Sequence, residues 1–156
     1  VGEGGASLAY SDVKGLGVYP DGKKTNERFA KACELGEETA CYNLALSYAL
    51  GDGVEKDAAR AAQIFAASCE RGHVDSCADL GVCYFKGEGV EKDYERAALL
   101  FTRACSGASA LACANLGFAY EKGMGVEKNK NAAKELYDRG CKLGEFNACE
   151  YLKNLR

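Results

Sequence analysis

One turn, Gly-x-Gly-Val, recurs at a fixed interval and limits what this chain can fold into. It stands at Gly15-Leu16-Gly17-Val18, Gly51-Asp52-Gly53-Val54, Gly87-Glu88-Gly89-Val90 and Gly123-Met124-Gly125-Val126, each copy 36 residues after the last. Eight cysteines keep the same step, as Cys33, Cys69, Cys105 and Cys141 and as Cys41, Cys77, Cys113 and Cys149. A period of this size, held without an insertion, marks a stacked array of repeats rather than a globule with one centre. Each unit of such an array buries its apolar face against its neighbours alone.

Within a repeat, the apolar pattern predicts two helices. The first spans about residues 39–50 and carries Leu44, Ala45 and Tyr48, repeated as Leu80, Gly81, Tyr84 and Leu116, Gly117, Tyr120. Those spacings place the three on one core stripe, and the small middle residue lets a neighbouring helix approach. The glycine turn ends this helix. Asp21, Asp57, Asp93 and Asn129 then recur as N-caps of a second helix. That helix buries Ala61, Ile64 and Phe65, matched by Ala97, Leu100, Phe101 and by Ala133, Leu136, Tyr137. The first copy is worn: Gly5 stands where later copies have cysteine, and Tyr19-Pro20-Asp21 replaces Val-Glu-Lys-Asp. Residues 1–4 read as a frayed entry.

The cysteines form four Cys-x7-Cys pairs: Cys33/Cys41, Cys69/Cys77, Cys105/Cys113 and Cys141/Cys149. In one unbroken helix, residues eight apart lie roughly 12 Å apart along the axis, too far to bond. A bend is therefore required, and Gly36, Gly72, Gly107 and Gly144 supply one. Zinc sites favour closer cysteine pairs or histidines, and His73 is the one histidine, so disulfides are the better reading and no metal is expected. Such a disulfide load points away from a reducing cytosol. Cys83, matching Ser47 and Ala119, has no partner in the period and reads as a free thiol packed as a small apolar residue.

A net charge of −3 offers no basic field for nucleic acid or an anionic membrane, and no apolar run approaches a bilayer span. The hydrophobic content of 47% and the single proline exclude a disordered chain. The opening on Val1 without a signal-like segment reads as a mature or trimmed product.

The pattern Leu80-Gly81-x-x-Tyr84-x-x-Gly87-x-Gly89-Val90-x-x-Asp93-x3-Ala97, with its weaker form from Leu44 to Ala61, resembles the Sel-one-like repeat (SLR). With Cys-x7-Cys at each junction, the chain is similar to the Helicobacter cysteine-rich protein (Hcp) family over about residues 5–156. The resemblance implies an all-α, right-handed superhelical solenoid of helix-turn-helix repeats with disulfide-stapled junctions. Residues 1–156 would form one such solenoid, with a degenerate repeat at about 5–40, full repeats at 41–76, 77–112 and 113–148, and a capping helix at 149–156. It further implies a periplasmic or secreted bacterial protein without cofactor, a monomer acting as a scaffold for a protein or peptide partner. The alternative it carries is a penicillin-binding hydrolase with weak β-lactamase activity.

Beside the core stripe of the first helix runs a second, variable stripe, and stacking would make it a continuous concave surface. Asn43, Leu46 and Ser47, then Asp79, Val82 and Lys86, then Asn115, Phe118 and Lys122 are the expected binding residues. Asn43, Asp79 and Asn115 would meet a peptide backbone, with Leu46, Val82 and Phe118 as apolar contacts. No catalytic residue is assigned. Ser11-Asp12-Val13-Lys14 fits Ser-x-x-Lys, but the companion motifs of serine β-lactamases do not follow and Lys24-Thr25-Asn26 is only a partial echo. His73 sits in a turn without a constellation around it and takes no role.

Overall fold

The computed structural model describes residues 22–155, and every regular element among them is an α-helix. In order these are α1 (Gly22–Glu34), α2 (Glu38–Leu50), α3 (Ala58–Glu70), α4 (Val74–Lys86), α5 (Tyr94–Ser106), α6 (Ala110–Lys122), α7 (Lys130–Lys142) and α8 (Phe146–Asn154). The helices fall into two compact units, one ending at His73 and the other beginning at Val74. In the first, α2 packs against both α1 and α3. In the second, each helix from α4 to α8 packs on the next, and α4 also meets α6. The frayed entry, the first part of the worn repeat up to its Asp21 cap, and the Ser11–Lys14 motif lie outside the described residues.

Helix length is set locally. The side chains of Asp57, Asp93 and Asn129 accept from the backbone N–H of Arg60, Arg96 and Ala132, each at 3.0 Å. Each cap stabilises its helix start by about 1 kcal/mol. The N–H of each cap residue also donates back to the carbonyl of Tyr48, Tyr84 or Tyr120 at 2.9 Å, which ties the glycine turn to the helix it leaves. The helices carrying the second cysteine of a pair start three residues before it, one residue earlier than the apolar pattern suggests. Glu37, Ser109 and Glu145 stand at the N-caps of three of them; the Ser109 hydroxyl accepts from the Ala112 N–H at 3.1 Å, whereas the Glu37 side chain makes no cap hydrogen bond. The last helix accordingly begins at Phe146 rather than at Cys149.

The core follows the period. Phe65, Phe101 and Tyr137 are all but inaccessible, each worth about 1.5–3 kcal/mol of apolar burial. A Cβ on Gly81 would come within 2.6 Å of the Phe101 ring, and one on Gly117 within 2.7 Å of the Tyr137 ring. The small middle residue of the stripe thus leaves room for the aromatic ring of the following helix. Tyr48, Tyr84 and Tyr120, expected in the core by phase, are only half-buried. Their rings reach the helix edge, where the Arg60 and Arg96 guanidinium groups lie 5.4 and 5.2 Å from the Tyr48 and Tyr84 ring centres. A phenol keeps its polar tip at water this way while its face packs.

Cys33–Cys41, Cys105–Cys113 and Cys141–Cys149 are disulfides, and Cys69 and Cys77 are also disulfide-bonded. The bend that allows them repeats at all four junctions. The N–H three residues after the first cysteine donates to that cysteine's carbonyl, and the next N–H donates to the carbonyl of the residue before the cysteine. The residue at the bend is left-handed: Gly36, Gly72 and Gly144, but Ala108 (φ 70°) at the third junction. Gly107, read as that bend, instead has φ −85°. It lacks a side chain because a Cβ there would lie 2.7 Å from a Val74 methyl. Ala108→Gly should therefore remove left-handed strain and raise stability by about 0.5–1 kcal/mol, net of glycine's entropy. Thermal unfolding of the variant checks this, and an unchanged or lower midpoint would refute it.

Candidate binding site

The core rings of the second unit leave a recess on one side of α4 and α6. Its volume is about 460 Å³, and Asp79, Val82, Phe85 and Lys86 of α4 line one wall. Leu111, Asn115 and Phe118 of α6 line another, with Phe101 of α5 and Tyr151 of α8 completing it. The aromatic side is packed ring against ring. Phe85 packs against Tyr94, Phe101 and Phe118 with ring centres 5.0, 6.2 and 6.3 Å apart. The Tyr151 ring rests 5.3 Å from that of Tyr137. Tyr137 is locked in turn by its hydroxyl, which donates to Glu121 at 2.6 Å. Burial, then that bond, pushes the phenol well above its ordinary range.

Five of the nine residues read from the variable stripe therefore share one cavity: Asp79, Val82, Lys86, Asn115 and Phe118. Lys122 does not line it, but its ammonium lies 5.9 Å from the Phe118 ring centre and 3.7 Å from Glu121. In the first unit, Asn43, Leu46 and Ser47 lie on α2, and two of them are not presented to solvent. Asn43 and Ser47 are each 6% exposed. The Ser47 hydroxyl donates back to the Asn43 carbonyl at 3.1 Å, so it serves its own helix. The Asn43 side-chain oxygen is buried without a hydrogen-bond partner.

Sequence reasoning missed Phe85, Leu111 and Tyr151. Tyr151 had a signal: it occupies the phase of Asn43, Asp79 and Asn115 on the last helix. Phe85 and Leu111 break the repeat, standing where other copies have Ala49 and Glu121, or Asp75 and Asn147.

Cys83 is the free thiol among the described residues and is buried on α4. Burial first, then the Asp79 and Glu88 carboxylates, push it up to about 11, so it stays protonated and unreactive near neutrality. His73 is half-buried, its ring 5.3 Å from that of Tyr42. Among the described residues no group of three or more His, Cys, Asp or Glu side chains could hold a metal, and no helix is long and apolar enough to cross a membrane.

The geometry has close counterparts. A Sel1 repeat protein from Oxalobacter formigenes is 31% identical, with a TM-score of 0.83 over 94% of this chain and 60% of its own. The protective antigen c5321 of uropathogenic Escherichia coli, which displays an SLR fold, is 26% identical, with a TM-score of 0.82 over 94% of this chain and 32% of its own. Helicobacter pylori cysteine rich protein B is 32% identical, with a TM-score of 0.66 over 85% of this chain and 95% of its own. This chain thus spans less than two thirds of the first two. No curated protein matches it. The Sel1 repeat profile matches residues 7–37, 39–73, 74–109 and 110–145, and the last three segments start within a residue of α2, α4 and α6. An all-α chain of paired helices, matched by that profile along most of its length, belongs to the Sel1 repeat family.

Proposed function

We propose that this chain is an exported interaction scaffold that holds an extended segment of a partner protein, with an apolar side chain seated in the recess between α4 and α6. Helical-repeat arrays of this class act through surfaces that stacked repeats present to protein partners. The recess carries the reading. Phe85, Phe118, Leu111 and Val82 supply apolar walls, while Asn115 offers both a donor and an acceptor to a peptide backbone. At the rim, Lys86 is exposed and makes no ion pair among the described residues, which suits an acidic group beside the seated side chain. The disulfide-bonded cysteines support an oxidising compartment such as a bacterial periplasm or the exterior.

The test is selection of binders from a displayed peptide library, followed by calorimetry on the wild type and on Asn115→Ala and Phe118→Ala. Enrichment of peptides pairing an apolar with an acidic residue is expected. Each substitution should weaken binding by about tenfold or more, as removal of a central anchor does, with helicity unchanged. Unaltered affinity in both variants would place binding elsewhere. Steady β-lactam hydrolysis abolished by Ser11→Ala would instead assign the chain to the hydrolase reading.

A further inference from the structure

The first unit contains a disulfide whose surroundings differ from those of Cys105–Cys113 and Cys141–Cys149. Cys33 lies at the end of α1 and is half-buried, whereas Cys41 in α2 is fully inaccessible. Arg71 follows α3 and reaches back over this junction. Its Nε and Nη2 donate to the Glu38 carboxylate on the first turn of α2, and Nη2 also lies 3.7 Å from the Cys41 sulfur. The Ser68 hydroxyl donates to the same carboxylate at 2.9 Å, which fixes the guanidinium over the sulfur. The bond from Arg71, ahead of the lesser contribution from Ser68, holds the Glu38 carboxyl below its ordinary range.

No period requires this arrangement. One and two repeats on, Gly107 and Leu143 occupy the phase of Arg71, and Ala110 and Phe146 follow Glu38 at the later junctions. At Cys105–Cys113 an arginine is present, but Arg139 donates to the Cys105 carbonyl at 3.2 Å rather than facing sulfur. Both of those cysteines are buried. At Cys141–Cys149 both sulfur-bearing residues are half-buried, and the Cys149 sulfur lies 3.7 Å from the Glu145 carbonyl oxygen.

Thiol–disulfide exchange is governed by access to the attacked sulfur and by the stability of the departing thiolate. A neighbouring cation stabilises that thiolate. Cys33–Cys41 combines the two: a half-buried cysteine on one side and a guanidinium beside the sulfur that must leave. We propose that this bond is a thiol-exchange site, at which an external thiolate attacks the Cys33 sulfur and expels Cys41 as a thiolate facing Arg71. The new bond joins the incoming sulfur to Cys33, and the electron pair of the broken bond passes to Cys41. The exchange is neutral overall, because one disulfide is traded for another and no further oxidant or reductant is consumed. Return attack by Cys41 on Cys33 expels the incoming thiol and restores the staple. The chemistry admits a small thiol or a cysteine of a partner protein.

The test uses the oxidised full chain and reduced glutathione, with quenched samples mapped by mass spectrometry. The first adduct should form on Cys33, leaving a free thiol at Cys41, roughly three- to tenfold faster than any adduct at Cys141 or Cys149. Arg71→Ala and Glu38→Gln separate electrostatics from loosening, since both break the same ion pair. Arg71→Ala should slow exchange to about the Cys141–Cys149 rate, whereas Glu38→Gln should speed it by freeing the guanidinium for sulfur. Acceleration in both variants would show a structural effect and overturn the proposal. So would an unchanged rate in Arg71→Ala, an adduct on Cys41, or earlier reaction at the last junction. Reaction only with a protein thiol, after the same Cys33 attack, would support the site and identify the source.

Discussion

Complete reduction is expected to remove up to about 10 kcal/mol of stability, comparable to the whole margin of a typical domain. Each Cys-x7-Cys bond joins residues with a sequence separation of 8. Chain-entropy arithmetic for so short a loop gives about 2.6 kcal/mol per bond at room temperature. The helices they join are short: α1 to α7 have 13 residues each, near the length below which isolated helices are marginal in water. Contacts run chiefly between neighbouring helices, so a loosened junction gains little support from distant parts of the same unit. Urea unfolding of oxidised and reduced protein, followed by circular dichroism, measures the difference. Midpoints lying close together would mean that helix packing carries the fold without the staples.

Gly125→Ala should be severely damaging to the second unit, costing about 3–5 kcal/mol. Two effects act together there. Gly125 has φ +79°, a conformation that L side chains rarely adopt. A Cβ would also fall on the Tyr94 carbonyl and close to the Glu95 nitrogen, at the first turn of α5. Backbone cannot rotate aside as a side chain can, so α5 must shift away from the turn. Gly144→Ala is the control. Its φ is +109° with nothing within 4 Å of the added atom, so it should show only the conformational strain, about 1–2 kcal/mol. Thermal melts of the pair should be well separated, and equal losses would show that the Tyr94 contact is unimportant.

Most of the fold was legible because each local signal agreed in phase with the rest. Asp57, Asp93 and Asn129 cap the helices that their positions mark, and Phe65, Phe101 and Tyr137 lie where the period puts them. What escaped depended on departures from the repeat. Ala108 performs a glycine's task because the bend's hydrogen bonds fix its conformation regardless of side chain. Phe85 lines the recess through contacts with rings on two other helices, which no pattern within α4 encodes. Arg71 and Glu38 are 33 residues apart and meet once in the array, so periodicity could not find them. Asn43 shares its phase with Asp79 and Asn115, yet it is buried while the other two are half-buried. Phase fixes the side of a helix, whereas exposure depends on what packs there.

The eight-residue spacing of the cysteines has a consequence for how the chain matures. Eight cysteines drawn together at random could pair in 105 ways. Here Cys33–Cys41, Cys105–Cys113 and Cys141–Cys149 each join a cysteine to the one eight residues further on. As a chain emerges from a pore N-terminus first, the correct partner is thus the next one to appear, already near because the bend between them is local. Each junction can be oxidised before the following pair arrives. Cys83, the one thiol that could interrupt this order, is buried in α4 once that helix packs. Correct pairing then becomes a matter of timing, and a shuffling catalyst has little left to repair.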